Sequence, residues 1–465
     1  MRKWQTRTLN HESPYIPLGH FKLRLPFVHY RFELPDYLQG LLMCAVDMAA
    51  IPLMMELLGM PFEVAIAVVI LNGLLYLLHH LLGDPVVPGW ITPAIPLLII
   101  YVESYPEGVE RVHALIAFQM MLGVLSIFLG VTKLAAKVVM AIPAAIKSGI
   151  ILGAGIAAVT SVMEVGGRFD QFPVSITSCV GIAFYLIFSD HFRQLMRKGS
   201  VWKVIGKLGI FPIIMLAVIV GPLLNETPWP DLEWGITNPD FSTLFSNYTV
   251  FGLGFPSFSF FLAAMPTVLA AYIVLFGDVL QSQAILEEAD QLRTDERIDY
   301  DPNRAHQIFG GRNLFMSIFG PDVVMCGPLW AAMHVVIVER FKQGKEAMNS
   351  IFGGAGSFRW GTNTGLLLLP VVSLVKPILG IALALTLLIQ GYVSVRIGIL
   401  EAGNQKDLGI AGIIAGILVI KGAAWAFVGG TLLTFLIYGK DILKHSARER
   451  TDEAVAQNKF SHFKK

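Results

Sequence analysis

The amino-acid sequence predicts an all-α polytopic membrane protein of about fourteen segments, arranged as two inverted repeats of seven. Three observations lead to this prediction. Of the 465 residues, 54% are hydrophobic and only 15% are charged, whereas soluble domains carry about 25% charged residues. Apolar runs approaching the ~20 residues that span a bilayer recur along the chain. Proline and glycine interrupt two of these runs at corresponding places in the two halves.

The first interruption runs from Gly83 to Leu98 and holds four prolines and two glycines. A continuous helix cannot cross it, because proline lacks the backbone N–H and clashes with the preceding turn. Non-helical backbone at membrane depth survives only where protein buries it or where it lines a cavity. We therefore predict a short extended stretch that leads into a half-helix beginning near Thr92.

The second interruption repeats the first. The pentapeptide GPDVV at 320–324 echoes GDPVV at 83–87, and Gly327-Pro328 stands where Thr92-Pro93 stood. Paired breaks in corresponding segments, here the third and the tenth, are typical of inverted-repeat transporters with a solute site between the breaks. Coincidence is the alternative, since glycine and proline are common in membrane helices.

Fourteen spanning or half-spanning segments follow from the apolar runs and the breaks. They are predicted at 35–57, 62–82, 85–102, 112–131, 138–163, 173–192, 204–224, 255–284, 306–319, 322–338, 361–375, 377–399, 408–420 and 423–438. The first repeat then covers 34–224 and the second 251–440. A loop at 225–250 joins them, and tails occupy 1–33 and 441–465.

The basic residues predict the orientation, because short cytoplasmic loops carry an excess of Lys and Arg. The tail at 1–33 holds six basic residues, whereas the loop at 225–250 holds four acidic residues and no basic one. We therefore expect both termini in the cytoplasm and the 225–250 loop outside. The membrane is a plasma membrane or a bacterial inner membrane.

The half-helix ends are the first candidate site. Their amino ends present unpaired N–H groups and the positive end of the helix dipole, which favours an anion or a carbonyl-bearing ring. The Thr92 hydroxyl either contacts the solute or satisfies a local backbone donor. The residues predicted to contact the solute here are Thr92, Pro93, Ala94, Cys326, Gly327 and Leu329.

Two acidic residues inside apolar segments are the second candidate. A carboxylate there costs several kcal/mol unless it is paired or neutralised. Asp278 lies in the eighth segment, where Gln281 and Ser282 share its helix face, and Asp47 lies mid-way along the first. We predict that Asp278, Gln281 and Ser282 contact substrate and that both aspartates bind a coupling proton or Na⁺. The alternatives are that a loop arginine holds Asp278 near the cytoplasmic end of its helix, and that Asp47 is a buried residue bonded to a neighbouring hydroxyl. Phe276 either stacks on a flat solute or packs in the helix bundle.

The sequence holds no catalytic constellation, no cofactor motif and no metal-ligand spacing. The three cysteines lie in apolar or broken segments, which argues against a disulfide framework. We therefore expect a non-enzyme with no cofactor and no nucleic-acid partner, whose partners are a small-molecule substrate and the lipid bilayer. An ion channel is the alternative, and a membrane-embedded enzyme is a weaker one.

Several motifs resemble known transporters. LPDYLQG at 34–40 is similar to the opening helix of anion transporters, and DPNR at 301–304 resembles their entry to the ninth segment. FGDVL at 276–280 resembles the eighth helix of nucleobase permeases, although Val274 then stands at the place of their substrate-binding glutamate. Over residues 33–440 the chain looks like the seven-plus-seven fold shared by uracil/xanthine permeases, sulfate permease-type transporters and bicarbonate transporters.

The resemblance implies a function beyond what the residues themselves show. It implies a secondary active transporter of elevator type, coupled to protons or Na⁺ and commonly assembled as a homodimer. Two substrate classes stay open: a nucleobase such as uracil or xanthine, and a small anion such as sulfate, bicarbonate or a carboxylate.

Overall fold

The computed structural model describes residues 10–199, 201–202, 205 and 211–439. These residues form a helical protein with one small hairpin, β1 (Ile16–Leu18) and β2 (Phe21–Leu23), ahead of the first helix. The tail residues 1–9 and 441–465 and the predicted start of the seventh segment lie outside the described residues. The helices are α1 Leu34–Met48, α2 Ile51–Leu58, α3 Phe62–Leu82, α4 Ile95–Glu103, α5 Val109–Thr132, α6 Ala135–Ala141, α7 Ala144–Met163, α8 Arg168–Gln171, α9 Pro173–Phe188, α10 Asp190–Lys198, α11 Phe211–Leu223, α12 Phe241–Asn247, α13 Val250–Leu253, α14 Phe258–Leu292, α15 Pro302–Phe319, α16 Ala331–Lys342, α17 Ile351–Leu367, α18 Leu369–Val375, α19 Leu379–Glu401, α20 Gln405–Lys421 and α21 Ala423–Tyr438.

The predicted all-α polytopic class is confirmed. Within the described ranges, six helical segments are long and apolar enough to cross a membrane, and a pair bent by 62° at Ser189 gives a seventh. Three shorter apolar helices accompany them: Thr92–Glu103, Pro212–Leu223 and Ala423–Tyr438. The number fourteen is consistent with this arrangement and stays a prediction.

Most predicted segments coincide with helices, and two of them, 62–82 and 423–438, match end to end. The largest error concerns the eleventh, predicted at 361–375, because its helix α17 already begins at Ile351. The unpredicted first part of this helix holds three glycines, Gly353, Gly354 and Gly356. In the structure they allow close packing: a Cβ added at Gly353 would collide with the Arg31 carbonyl. The eighth segment also extends further than predicted, to Leu292, and the 225–250 loop contains helix α12.

Both predicted interruptions are present, and their extended stretches cross each other. The first leads through a 3₁₀ turn, Thr92–Ala94, into α4, and the second leads into α16. Between them, the Gly327 N–H donates to the Gly89 carbonyl at 2.8 Å, and the Trp330 N–H donates to the Val87 carbonyl at 2.7 Å. This antiparallel pairing satisfies backbone groups that lipid cannot satisfy.

Helix packing repeats between the two halves. Helix α5 packs against α14 and α15 of the second half, while its counterpart α17 packs against α1 and α3 of the first. In the same way, α7 packs against α19 and α20, while its counterpart α19 packs against α7 and α9. A helix of one half and its counterpart in the other half therefore have equivalent neighbours, as an inverted repeat requires.

The two extended stretches can cross only because position 327 is a glycine. A Cβ added there would collide with the Trp90 carbonyl, so Gly327→Ala is expected to destabilise the protein by about 1–3 kcal/mol. The thermal unfolding midpoint in detergent measures this effect. Gly311→Ala is the matched control, because a Cβ there meets nothing within 4 Å. Equal midpoints for the two variants would contradict the prediction.

Candidate functional site

Two arginines are fully buried beside the crossing. Arg312 lies on α15 and Arg359 on α17, and both side chains are 0% exposed. Both guanidinium groups contact the ring of Tyr76 on α3, with the Cζ atoms 4.4 Å and 3.7 Å from the ring centroid. A charge buried at membrane depth is costly and marks a functional site by default.

Arg359 binds Asp47 of α1 and the first break. Its Nη1 lies 3.1 Å from Asp47 Oδ2, and its Nη2 donates to the Pro88 carbonyl. The Trp330 ring stands 4.9 Å away. The Nε of Arg359 has no hydrogen-bond partner. The structure thus brings the predicted residue Asp47 to the site, where it is the counter-ion of a buried arginine.

Arg312 has a different set of partners. Its Nη1 donates to His79 Nε2 at 2.9 Å and to the Gly327 carbonyl at 3.2 Å, and its Nη2 donates to Asn72 Oδ1 at 2.8 Å. Among the residues that the structure describes, no carboxylate forms an ion pair with it, and its Nε has no partner. Neutral groups therefore hold this cation.

Each repeated pentapeptide supplies one aspartate, which contacts one of the neutral side chains that bind Arg312. Asp84 Oδ1 accepts from the Val86 N–H at 3.2 Å, and Asp322 Oδ1 accepts from the Val324 N–H at 3.1 Å, so both breaks contain the same turn. The second oxygens lie 2.7 Å from His79 Nδ1 and 2.6 Å from Asn72 Nδ2. Each repeat thus contributes one aspartate, which reaches Arg312 through one side chain of α3.

A narrow gap lies between these groups. In this conformation it has no room for a molecule of water's size. Of its lining side chains, Tyr76 has a hydroxyl without a hydrogen-bond partner in the described part of the chain, and Asp47 and Asn72 bind the two arginines, whose Nε atoms lack a partner there too. The gap is lined by Asp47, Ala50, Val69, Asn72, Tyr76, Trp90, Asp322 and Val324. Two cations with unused donors can bind an anion when the gap widens.

The residues predicted at the half-helix ends surround this site to different extents. Gly327 accepts from Arg312 through its carbonyl. Cys326 is buried, and its Sγ lies 3.4 Å from Asn72 Oδ1. Leu329 is buried and packs against Gly89. The 3₁₀ turn holds Thr92 and Pro93, both half-buried, and the buried Ala94, and it packs against α14. Solute contact by these residues stays a prediction.

The predicted residues of the eighth segment lie apart from the gap. Asp278 is half-buried, and in the described part of the chain its carboxylate has no hydrogen-bond partner. Ser282 donates to the Asp278 backbone carbonyl at 2.8 Å, and Gln281 is exposed. Phe276 is buried, with its ring centroid 6.3 Å from that of His306. None of the four lines the gap, and their roles in substrate binding and coupling stay predictions.

The sequence analysis did not identify either arginine as a site residue. The signal was available, since a charge within an apolar segment is functional by default. Arg312 lies inside the ninth predicted segment, and Arg359 fell just before the predicted start of the eleventh. The positions of Asn72 and His79 had no comparable signal, because their partners lie on other helices.

The Asp47–Arg359 pair provides a stability test. Arg359→Gln leaves the Asp47 carboxylate buried without its cation, and breaking a buried pair in this way costs about 3–5 kcal/mol. Asp47→Asn combined with Arg359→Gln is expected to recover part of that loss. The thermal unfolding midpoints of the two single variants and the double variant measure the coupling. If the double variant loses the sum of the single effects, the two side chains do not act as a pair.

Comparisons with known proteins support the fold. No family model and no curated protein matches the sequence, whereas solved structures do. The overall structure of SLC26A9 matches with a TM-score of 0.53 at 13% identity, over 87% of this chain and 66% of that one. The murine Slc26a9 anion transporter in the inward-facing state gives 0.52 at 14% identity, over 87% of this chain and 68% of that one. The transmembrane domain of a cyanobacterium bicarbonate transporter, BicA, gives 0.46 at 15% identity, over 89% and 97%.

The chain therefore spans about two thirds of the length of the SLC26A9 structures that it resembles. At this identity the likeness concerns the fold and leaves the branch open. It supports the fold that the sequence motifs predicted: this chain has the fold of the SLC26A9 structures.

Proposed function

We propose that this protein is a secondary active transporter of a small anion. The observation that carries the proposal is the pair of buried arginines at the crossing of the two breaks, each with an Nε that binds no group of the described residues. Desolvation makes their interaction with an anion stronger than it would be in water.

The surroundings of Arg312 favour an anion further. Its guanidinium binds a neutral amide, an imidazole and a carbonyl, so its charge is not neutralised by direct contact with a carboxylate. Guanidinium groups recognise oxyanions through paired N–H donors. The positive ends of two half-helices lie in the same region and act with the same sign. Inorganic anions and carboxylates both fit this description.

A nucleobase is the second candidate substrate. Tyr76 and Trp90 line the gap, and Asn72 offers an amide for hydrogen bonding. Aromatic rings can stack on a flat heterocycle. Here, however, the Tyr76 ring already contacts both guanidinium groups. We therefore place the anion first.

We also propose the elevator motion and the homodimer that the sequence resemblance implies. Helices α1–α5 and α14–α17 would form the moving core. The residues that hold both arginines all lie on these helices or on the two breaks between them. The remaining helices would form the gate and the dimer contact.

The coupling ion is proposed to act through Asp47 and Asp278. An anion that binds Arg359 competes with Asp47 for the same guanidinium, so Asp47 then needs a proton or Na⁺ to replace its lost partner. Asp278 is a carboxylate within α14 that carries no counter-charge in the described structure, and it can bind the same ions.

Uptake into proteoliposomes tests the anion proposal. Arg312→Gln and Arg359→Gln are each expected to reduce saturable uptake of labelled chloride, sulfate or bicarbonate by about tenfold or more, since each removes a hydrogen bond to a charged group. Arg193→Gln, at an exposed surface arginine, is the control and should transport normally.

Three other results would contradict the anion proposal. They are saturable uptake of uracil or xanthine in place of the anions, conductance without saturation, and unchanged anion uptake by both arginine variants.

Replacement of Asp278 tests the coupling. In Asp278→Asn the carboxylate can no longer carry the coupling ion, so anion accumulation driven by a proton or sodium gradient is expected to fall by about fivefold or more. Counterflow exchange at equal ion concentrations should persist. Glu287→Gln, on the same helix, is the control. Undiminished gradient-driven accumulation in Asp278→Asn would exclude this role.

A further inference from the structure

His79 occupies a position between the cation of the proposed site and one of the repeated aspartates. It is 0% exposed on α3. Its Nε2 lies 2.9 Å from Arg312 Nη1, and its Nδ1 lies 2.7 Å from Asp84 Oδ2. The imidazole therefore connects Arg312 to the first break.

The two partners define the protonation state of this ring. A guanidinium has only donors, so His79 Nε2 must accept and carries no proton. The Asp84 carboxylate is an acceptor, so His79 Nδ1 carries the proton and donates it. The neutral Nδ1–H tautomer alone satisfies both contacts. The Asp84 carboxylate thereby keeps the lone pair of Nε2 directed at Arg312.

Asn72 makes the equivalent connection on the other side. It lies seven residues earlier on α3 and so faces the same direction. Its Oδ1 accepts from Arg312 at 2.8 Å, and its Nδ2 donates to Asp322 at 2.6 Å. The two connections use the same geometry and differ in one chemical property. An amide cannot take up a proton at physiological pH, whereas an imidazole can.

The other charged and titratable groups around His79 contact different partners. His80 donates from Nε2 to the Val86 carbonyl at 3.0 Å, and His334 of α16 accepts at Nδ1 from the Val87 N–H at 3.3 Å. The charged groups that face this region are Asp84 of the break, Arg312 and Arg304 of α15, Arg359 of α17 with its partner Asp47, and Arg24 beside Gly83. Of the three histidines His79, His80 and His334, His79 alone binds an arginine of the site.

We propose that His79 is a positioning residue for Arg312, and that proton uptake at its Nε2 and anion binding at Arg312 favour each other. A proton from solvent turns Nε2 from an acceptor into a donor, which breaks the hydrogen bond to Arg312 Nη1. It also places a second positive charge beside the guanidinium. An anion at Arg312 offsets that charge and accepts from the released Nη1. The inference rests on the proposed anion site.

Reciprocity makes this proposal measurable at equilibrium: if an anion promotes protonation, protonation must tighten anion binding by the same factor. Chloride and sulfate are suitable probes, because their own charge is constant over the range in which an imidazole titrates. Binding is followed through thermal stabilisation of the detergent-solubilised full chain at constant ionic strength.

Wild-type protein is expected to bind the probe about fivefold or more tightly at about pH 5.5 than at about pH 8. In His79→Gln, a side-chain carbonyl can still accept from Arg312 but takes up no proton. This variant should lose at least about half of the wild-type pH effect, and any pH effect that remains comes from the other proposed proton sites. His80→Gln removes a neighbouring buried histidine that does not touch Arg312, and it should keep the wild-type pH effect.

A second measurement compares the same two proteins. Addition of chloride near pH 6 should remove more protons from a weakly buffered solution of wild-type protein than of His79→Gln, as a pH indicator dye reports, because any proton binding at Asp47 contributes to both. A full pH effect in His79→Gln, or equal proton uptake by the two proteins, would overturn the inference while leaving the anion site intact. Failure of wild-type protein to bind chloride or sulfate at either pH would overturn the anion site, and this inference with it.

Discussion

At one place in the structure, two stretches of non-helical backbone and two buried cations must all find hydrogen-bond partners without water. The rest of the structure depends on how this is achieved. Each problem is costly alone, since an unpaired backbone group or an isolated charge in a low-dielectric interior costs several kcal/mol. The fold solves them together. The Pro88 and Gly327 carbonyls, which the breaks remove from helices, accept from Arg359 and Arg312. The freed backbone acceptors thus become ligands for the buried cations.

Because the fold is an inverted repeat, each half contributes one break with one aspartate, and both aspartates lead to the same cation, Arg312. A single GDPVV-like turn aims one aspartate oxygen at its own backbone and leaves the other free. Two such turns, brought together by antiparallel pairing of the breaks, present two free oxygens to one face of α3, two helical turns apart. Asn72 and His79 fill the spaces between those oxygens and Arg312. The symmetric backbone therefore carries an asymmetric pair of side chains, and of the two only an imidazole can take up a proton at physiological pH.

The sequence alone predicted much of the backbone but less of the site. Proline placement located both breaks and the start of the first half-helix near Thr92, because proline restricts backbone geometry locally. Asp47 was identified from an equally local signal, because a carboxylate inside an apolar segment is costly. Arg359 was missed because it lies in the glycine-rich first part of α17, ahead of the apolar run that predicted the eleventh segment. The role of Arg312 depends on Asn72 and His79, more than 230 positions away, and such a juxtaposition leaves no periodic pattern in one chain.

The packing of the gap bears on how an anion enters it. The gap is closed in this conformation, and both arginines are already stripped of water. An incoming anion therefore pays the desolvation cost of its own charge but not that of the guanidinium groups. At Arg359 it replaces one carboxylate with another anion, so the local charge around that arginine changes little. The change falls on Asp47, which is left buried without its cation, and a buried carboxylate in that state recruits a positive charge. In the proposed function, anion entry at Arg359 and cation or proton binding at Asp47 are thus two consequences of one ion pair opening.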